Sequence, residues 1–384
     1  MLILFFSLTI PWVIFWSTGV HLSPLAQAIF SGLAIVGAGY ILSEFSEIAQ
    51  IDVPRGFALA VIALIAVLPE YVVDLYFAWM APKNPHYASY ASANMTGANR
   101  LLIGFGWALI VFLNFFKTRE KKVVLREGFR WEMGILAIAT LYSFSIPIRK
   151  HLSFVDAAFF IGLFAFYTYK TAKGDVEEIE TDALLFQFMK SISKIKRGIL
   201  IILGFLYGGF VVFISAKHFA EGLLKVGESL KIEKFILVQW VAPLASEAPE
   251  LIVAIIFVLK GKAENSLGML VSSKINQWTL LVGCIPLVYS ISGLTIHPLE
   301  LDMRQNEEIF LTSAQSLFAL IVLSELDLDL KEGTLLFLLF FVQLVIPNPH
   351  TRLVFSFVYV GFSLFFLLVS KKKREGFINL RKGF

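Results

Sequence analysis

The chain is poor in cysteine and in charge, and each shortage excludes something. Cys284 is the single cysteine among 384 residues. An intrachain disulfide is therefore impossible, and so is a zinc site built from several thiolates. Placed in an apolar run, a lone thiol reads as a small packing hydrophobe. Charged residues make up 16% of the chain, against about 25% in an ordinary soluble domain. No glycine-rich phosphate loop, zinc-binding helix or basic nucleic-acid face is present, nor the paired aspartate motifs of an intramembrane protease. An enzyme and a nucleic-acid partner are both disfavoured. The six histidines fall mostly at the ends of apolar runs, where they read as interface residues.

What fills the chain is apolar. Hydrophobic residues reach 57% and mean hydropathy is +0.76. Many runs attain the roughly 20 residues needed to cross a bilayer. Read between charged or Pro/Gly breaks, about twelve spans are expected, near 2–20, 24–48, 56–80, 88–116, 132–148, 154–171, 198–220, 234–260, 264–292, 308–325, 333–347 and 351–370. The fold class is thus an all-α polytopic membrane protein whose partner is the lipid bilayer. Met1–Val20 has no Lys or Arg before its apolar run, unlike a signal peptide, and is expected to stay as a helix.

Basic residues set the orientation. Lys117, Arg119, Lys121, Lys122, Arg126 and Arg130 follow the fourth span, Lys173, Lys190, Lys194, Lys196 and Arg197 the sixth, and Lys371–Arg374 the last. All follow even-numbered spans, so the positive-inside rule places them and both termini in the cytoplasm. A plasma or inner membrane is the expected location. The acidic run Gly174–Asp182 in the central loop reads as solvated, with a regulatory Ca²⁺ site as the sharper alternative.

Two segments nearly repeat. Leu68-Pro69-Glu70 lies in the third span and Ala248-Pro249-Glu250 in the eighth. A carboxylate at the bilayer centre is costly and marks a functional site. Glu70 and Asp74 are four apart and share a helix face, as do Glu247 and Glu250, three apart. Pro69 is expected to free the carbonyl of Ile65, and Pro243 with Pro249 to unwind the second segment further. Carboxylates and freed carbonyls are the hard oxygens that Na⁺ and Ca²⁺ prefer. The following spans add Asn94-Met95-Thr96-Gly97-Ala98-Asn99-Arg100 and Ser272-Ser273-Lys274-Ile275-Asn276-Gln277. Blander readings pair Glu70 with Arg100 and Glu250 with Lys274. Five spans separate the two glutamates, an odd number, so their helices run in opposite directions. That is the pattern of an inverted repeat with a midplane site.

These segments resemble the two alpha-repeats of the cation/calcium exchanger superfamily, which includes the sodium/calcium exchangers. The family pattern is approximately G-T-S-x-P-E, then G-N-x-x-G-S-N-I-x-N/D. Pro69-Glu70 and Pro249-Glu250 match the first part, with Ser246 at its Thr position. Asn94 to Asn99 match the second part, and Ser273 and Gln277 match it more loosely. The resemblance implies five-helix inverted repeats and antiport of Ca²⁺ against Na⁺ or H⁺, with no cofactor. With one extra helix at each end, the division is 1–22, a first repeat 23–171, a linker 172–197, a second repeat 198–350, and 351–384. Glu70 and Glu250 are the implied central ligands, with Asp74, Asn94, Asn99, Ser246, Glu247, Ser273 and Gln277 as secondary oxygens. The departures are specific. Ala66 and Val67 replace Thr and Ser, Leu102 stands at the terminal polar position, Glu247 replaces Ser, and Asp74 replaces a small residue. Lys274 replaces Asn and Arg100 adds a cation, so both are expected to tune charge. These departures point to a coupling ion or stoichiometry different from the sodium/calcium type. An anion transporter using Arg100 and Lys274, or a relative that has lost transport, stays open as an alternative.

Overall fold

The computed structural model describes residues 2–84, 86–174, 184–231, 247–294, 296–346 and 348–383. Helices dominate. In chain order they are α1 (Leu2–Thr18), α2 (Pro24–Ala49), α3 (Arg55–Met80), α4 (His86–Leu101), α5 (Ala108–Thr118), α6 (Phe129–Ser143), α7 (Ser145–Arg149) and α8 (Phe154–Ala172). There follow α9 (Leu184–Ser191), α10 (Lys194–Ser229), α11 (Ala248–Leu259), α12 (Ala263–Asn276), α13 (Val282–Gly293), α14 (Met303–Val322), α15 (Leu330–Val345), α16 (Pro349–Val369) and α17 (Lys371–Asn379). Seven described stretches are long and apolar enough to cross a membrane: 24–49, 87–118, 129–149, 194–219, 263–293, 303–325 and 350–369. Shorter apolar helices cover Leu2–Thr18, Arg55–Val67 and Glu250–Leu259. The chain is a multi-pass helical membrane protein. The central acidic run, Asp175 to Asp182, lies outside the described residues.

Local sequence explains the helix starts. Ser23 caps α2, its hydroxyl accepting from the Ala26 amide, with Pro24 in the first turn. Asp302 and Gln305 form a capping box on α14, and Asp329 and Glu332 form another on α15.

Two compact units divide the chain, residues 1–70 with 169–260 and residues 71–168 with 261–384. Each takes one stretch from each half of the sequence.

In the first unit α2 packs along α10, and glycine makes that approach possible. A Cβ on Gly204 would sit 2.4 Å from the Phe45 ring, and one on Gly208 2.7 Å from Leu42. The small-xxx-small spacing of these glycines therefore packs helix on helix. The rest of α10 carries an apolar stripe, Ile199, Ile202, Leu203, Leu206, Phe210 and Phe213, which is exposed in a pattern suited to lipid. α1 lies on the same pair, with Thr9 hydrogen-bonded to Tyr207 at 2.5 Å and Phe5 stacked on Tyr40. Arg197 grips Asp52 with two bonds, Nε to Oδ2 at 2.6 Å and Nη2 to Oδ1 at 2.7 Å. That fork joins the start of α10 to the turn after α2, and it holds the Asp52 carboxyl below the usual carboxylate range.

In the second unit two short antiparallel ribbons tie loops together. β1 (Lys122–Val124) pairs with β4 (Asp327–Asp329), and β2 (His151–Leu152) pairs with β3 (Leu299–Glu300). Between α4 and α5 the helix widens into a π-helical segment, Leu102–Trp107, and between α12 and α13 into another, Gln277–Leu281. Both follow immediately on the polar motifs read from the sequence, at Asn99-Arg100 and Asn276.

Candidate functional site

Glu70 sits within α3, which runs through position 69 without a break. The second motif is built differently. The described helix α11 begins at Ala248, with Pro249 in its first turn, where the missing amide proton costs nothing. Glu247 is the N-cap of α11, with φ −85° and ψ −6°, and Glu250 stands in its first turn. Two carboxylates thus stand at the start of α11. The positive end of the α11 dipole favours negative charge there. Gly39 of α2 lets α11 close, since a Cβ there would meet Val253 Cγ2 at 3.2 Å.

These elements bring three of the sequence-identified acids together in the first unit. Glu70, Glu247 and Glu250 are 3%, 2% and 1% exposed, and one carboxylate oxygen from each lies within 4.8 Å of the others. Among the described residues this is the group of acidic, histidine or cysteine side chains close enough to hold one metal ion. Glu70 and Glu250, which the sequence singles out as central, lie together here with Glu247 beside them. Ser246 lies outside the described residues.

The remaining candidates form a separate set of contacts in the second unit. Asp74, fully buried, accepts from Asn94 Nδ2 at 2.9 Å. Tyr71 donates to Asn276 Oδ1 at 2.6 Å. Lys274 is also fully buried; its ammonium donates to Asn99 Oδ1 at 2.6 Å and stands 4.2 Å from the centre of the Trp278 ring. Ser273 and Gln277 are buried on the same helix run, Gln277 opening the second π-helical segment. Arg100 is paired with Glu308 of α14, and its Nε donates to the Thr96 carbonyl at 3.2 Å. Glu308 and Glu307 in turn hold Arg352 of α16, Glu307 at 2.9 Å. Arg100 is therefore one member of a half-buried ion network.

Sequence reasoning missed Glu308, Glu307 and Arg352, and also Glu132, whose Oε2 accepts from Ser272 at 3.0 Å and Tyr167 at 3.1 Å. The signal was available: Glu132 and Glu308 each stand beside an apolar run that the helix includes rather than excludes.

The sodium/calcium exchanger protein family model matches residues 22–172 and 200–347. The chain is similar to the H⁺/Ca²⁺ exchanger CAX, whose crystal structure superposes with a TM-score of 0.83 at 45% identity, covering 99% of this chain and 96% of that one. It also resembles the sodium-calcium exchanger NCX_Mj soaked with Na⁺ and Sr²⁺, with a TM-score of 0.65 at 16% identity over 85% of this chain and 99% of that one. The form soaked with 2.5 mM Na⁺ and 0.1 mM Ca²⁺ gives 0.62 at 18% identity over 84% and 98%. At those identities the NCX_Mj likeness is one of fold. No curated protein sequence matches the chain. By the match of the family model over both halves and by its likeness to CAX along almost the whole length, this chain belongs to the sodium/calcium exchanger protein family.

Proposed function

We propose that this chain is a Ca²⁺/H⁺ antiporter working by alternating access, with Glu70, Glu247 and Glu250 alternately holding Ca²⁺ and protons. The observation that carries this reading is the buried carboxylate triad and its spacing. Ca²⁺ binds oxygens at about 2.3–2.6 Å, so oxygens on opposite sides of one ion lie about 4.6–5.2 Å apart. Ligand atoms within 4.8 Å of one another fit around a single ion. Empty and ionised, the same atoms repel: at an effective dielectric of about 20, each pair of charges 4.8 Å apart costs about 3.5 kcal/mol. Such a cluster is relieved either by a divalent cation or by protons, which is the chemistry of an exchange.

Protons are favoured over Na⁺ as the coupling ion. Ala66 and Val67 stand where the family pattern has hydroxyl residues, so the neutral oxygens of a Na⁺ shell are fewer. The likeness to CAX, an H⁺/Ca²⁺ exchanger, at 45% identity supports H⁺. An anionic substrate held by Arg100 is disfavoured by the Glu308 carboxylate already bound to it.

The proposed architecture is two inverted repeats, 23–171 and 198–350, joined by 172–197 and flanked by extra helices at 1–22 and 351–384, twelve spans in all. Two features support it. Among the described residues each half has one π-helical segment, directly after its polar motif. The ribbons also obey the exchange: β1 follows the third repeat helix of the first half and pairs with β4, after the fourth helix of the second. β2 follows the fourth helix of the first half and pairs with β3, after the third helix of the second. Swapping the halves converts one ribbon into the other. Both termini are placed in the cytoplasm of a plasma or inner membrane by the basic loops.

The test is Ca²⁺ flux in proteoliposomes with a pH gradient and a Na⁺ gradient imposed separately. The pH gradient should drive uptake in the wild type, while Glu70→Gln and Glu250→Gln should abolish it with expression intact. Flux driven by Na⁺ alone, or retained in either variant, overturns the assignment.

A further inference from the structure

Glu132 stands in the first turn of α6, within the described spanning stretch 129–149, and is 3% exposed. Its Oε2 lies 3.1 Å from the Tyr167 hydroxyl of α8 and 3.0 Å from Ser272 Oγ of α12, and those two hydroxyl oxygens are 3.1 Å apart. Three oxygens thus form a triangle with three hydrogen-bonding edges. Two hydroxyls own two hydrogens between them. With an ionised carboxylate, one edge is left as lone pairs facing each other. With a carboxylic acid, the third hydrogen completes the ring, each oxygen donating once and accepting once.

The surroundings agree with the neutral form. Among the described residues, the side chains bonded to Glu132 are the two hydroxyls. The charged groups on the elements packed around α6 are otherwise engaged or exposed: Arg130 on Glu127, Glu264 of α12 with Arg126, Lys274 on Asn99, and Arg149 on Asp156. On α14, Glu307 and Glu308 hold Arg352 and Arg100, and Arg304 is exposed. In the C-terminal turn 380–383, Arg381 is exposed. The start of α6 favours an anion, but weakly and over one turn, whereas taking an uncompensated charge out of water is the larger cost.

We propose that Glu132 is a proton-binding site separate from the carboxylate triad, whose neutral acid closes this ring and holds α12 against α6 and α8. α12 carries Ser273, Lys274 and Asn276 and runs into the second π-helical segment. The proton on Glu132 therefore fixes the helix on which Lys274 meets Asn99. Its loss to water at alkaline pH leaves one buried negative charge, breaks one edge of the ring and loosens α12. The inference extends the antiport reading by a second proton site, yet its test needs no transport.

The test uses the purified full chain in detergent with a Ca²⁺ chelator, melted at a series of values from about pH 5 to about pH 9. A folded chain that holds one more proton than the unfolded chain loses stability as pH rises. The wild-type Tm should fall by several degrees across the series. Glu132→Gln, whose amide both donates and accepts, should melt as high at the acid end and lack that part of the fall. Infrared difference spectra at neutral pH should show a protonated-carboxyl band that survives in Glu70→Gln and disappears in Glu132→Gln. Should Glu132→Gln not fold, Tyr167→Phe serves, since losing one bond must shift that band. An unchanged pH slope in Glu132→Gln, or a band insensitive to both Glu132→Gln and Tyr167→Phe, overturns the proposal.

Discussion

In the proposed antiport, binding of Ca²⁺ and release of protons are one event, and the triad geometry sets the count. The three ligand oxygens lie within 4.8 Å, so full ionisation leaves three repelling pairs of about 3.5 kcal/mol each, about 10 kcal/mol altogether, at an effective dielectric of about 20. Protonating an ordinary glutamate near pH 7 costs about 3.7 kcal/mol, from roughly 2.7 pH units at about 1.36 kcal/mol each. The first proton removes two pairs, about 7 kcal/mol, and wins by about 3 kcal/mol. The second removes the last pair, about 3.5 against about 3.7 kcal/mol, and breaks even. On these pair terms alone, the proposed Ca²⁺-free site would hold between about one and about two protons at neutral pH, which the divalent ion would displace. Calorimetric titration with Ca²⁺ in two buffers of different ionisation enthalpy reads the number directly. The wild type should release between one and two protons per ion. Glu247→Gln keeps a single carboxylate pair, for which protonation is near break-even, so its release should fall below one. Ca²⁺ binding with no proton release, or an unchanged count in Glu247→Gln, refutes the reasoning.

Two stability predictions follow from the first unit. Asp52 has its carboxyl held below the ordinary range by Arg197, so the pair contributes above the ordinary carboxylate value and is lost as pH falls through the lowered one. Asp52→Asn should reduce stability at neutral pH by up to about 3 kcal/mol, because it strands a nearly buried guanidinium, and thermal melts of variant and wild type should converge in acid; equal Tm at neutral pH would contradict this. Gly204→Ala forces a Cβ to within 2.4 Å of the Phe45 ring and should cost about 1–3 kcal/mol by overpacking, read as a lower Tm. Gly198→Ala, with nothing within 4 Å of its Cβ, is the neutral control.

Much of this site was legible in the sequence because its parts obey local rules. An acid at membrane depth is rare enough to announce itself, and Glu70 and Glu250 each follow a proline inside an apolar run. Glu247 was legible as an extra acid on the face of Glu250, but its rank as a third member depends on its place as N-cap of α11. The π-helical segments were not legible. A turn that widens at Leu102–Trp107 or Gln277–Leu281 contains residues that would serve an ordinary helix equally well. The first of them packs closely on α15, where a Cβ on Gly104 would lie 2.3 Å from Phe340, a contact no short window contains. Arg100 illustrates the same limit. Its sequence neighbours suggested a role beside Glu70, whereas its carboxylate is Glu308, far along the chain. Glu132 and Glu308 were overlooked for a further reason. A charge next to an apolar run reads as the end of a span, but α6 begins at Phe129 and α14 at Met303, so both acids are drawn inside their helices.

The local difference between the two motifs bears on how the proposed site stays selective for a travelling cation. A fixed ammonium among the three carboxylates would offset their repulsion and also compete with the cargo for the same oxygens. The α11 helix start offers a weaker alternative, about half a positive charge spread over backbone amides that lie behind the carboxylates. It offsets part of the repulsion without occupying the ligand atoms. Two of the three acids, Glu247 and Glu250, stand at that helix start, while Glu70 projects from the middle of a helix that runs straight through. In the same unit Lys260 is bound to Glu44 and Glu47, and Arg197 to Asp52. These two cations are matched to other acids, and a half charge at a helix start offsets only part of the repulsion among three carboxylates. An offset supplied by backbone amides takes up no carboxylate oxygen, which is the condition under which, in the proposed cycle, Ca²⁺ and protons replace each other.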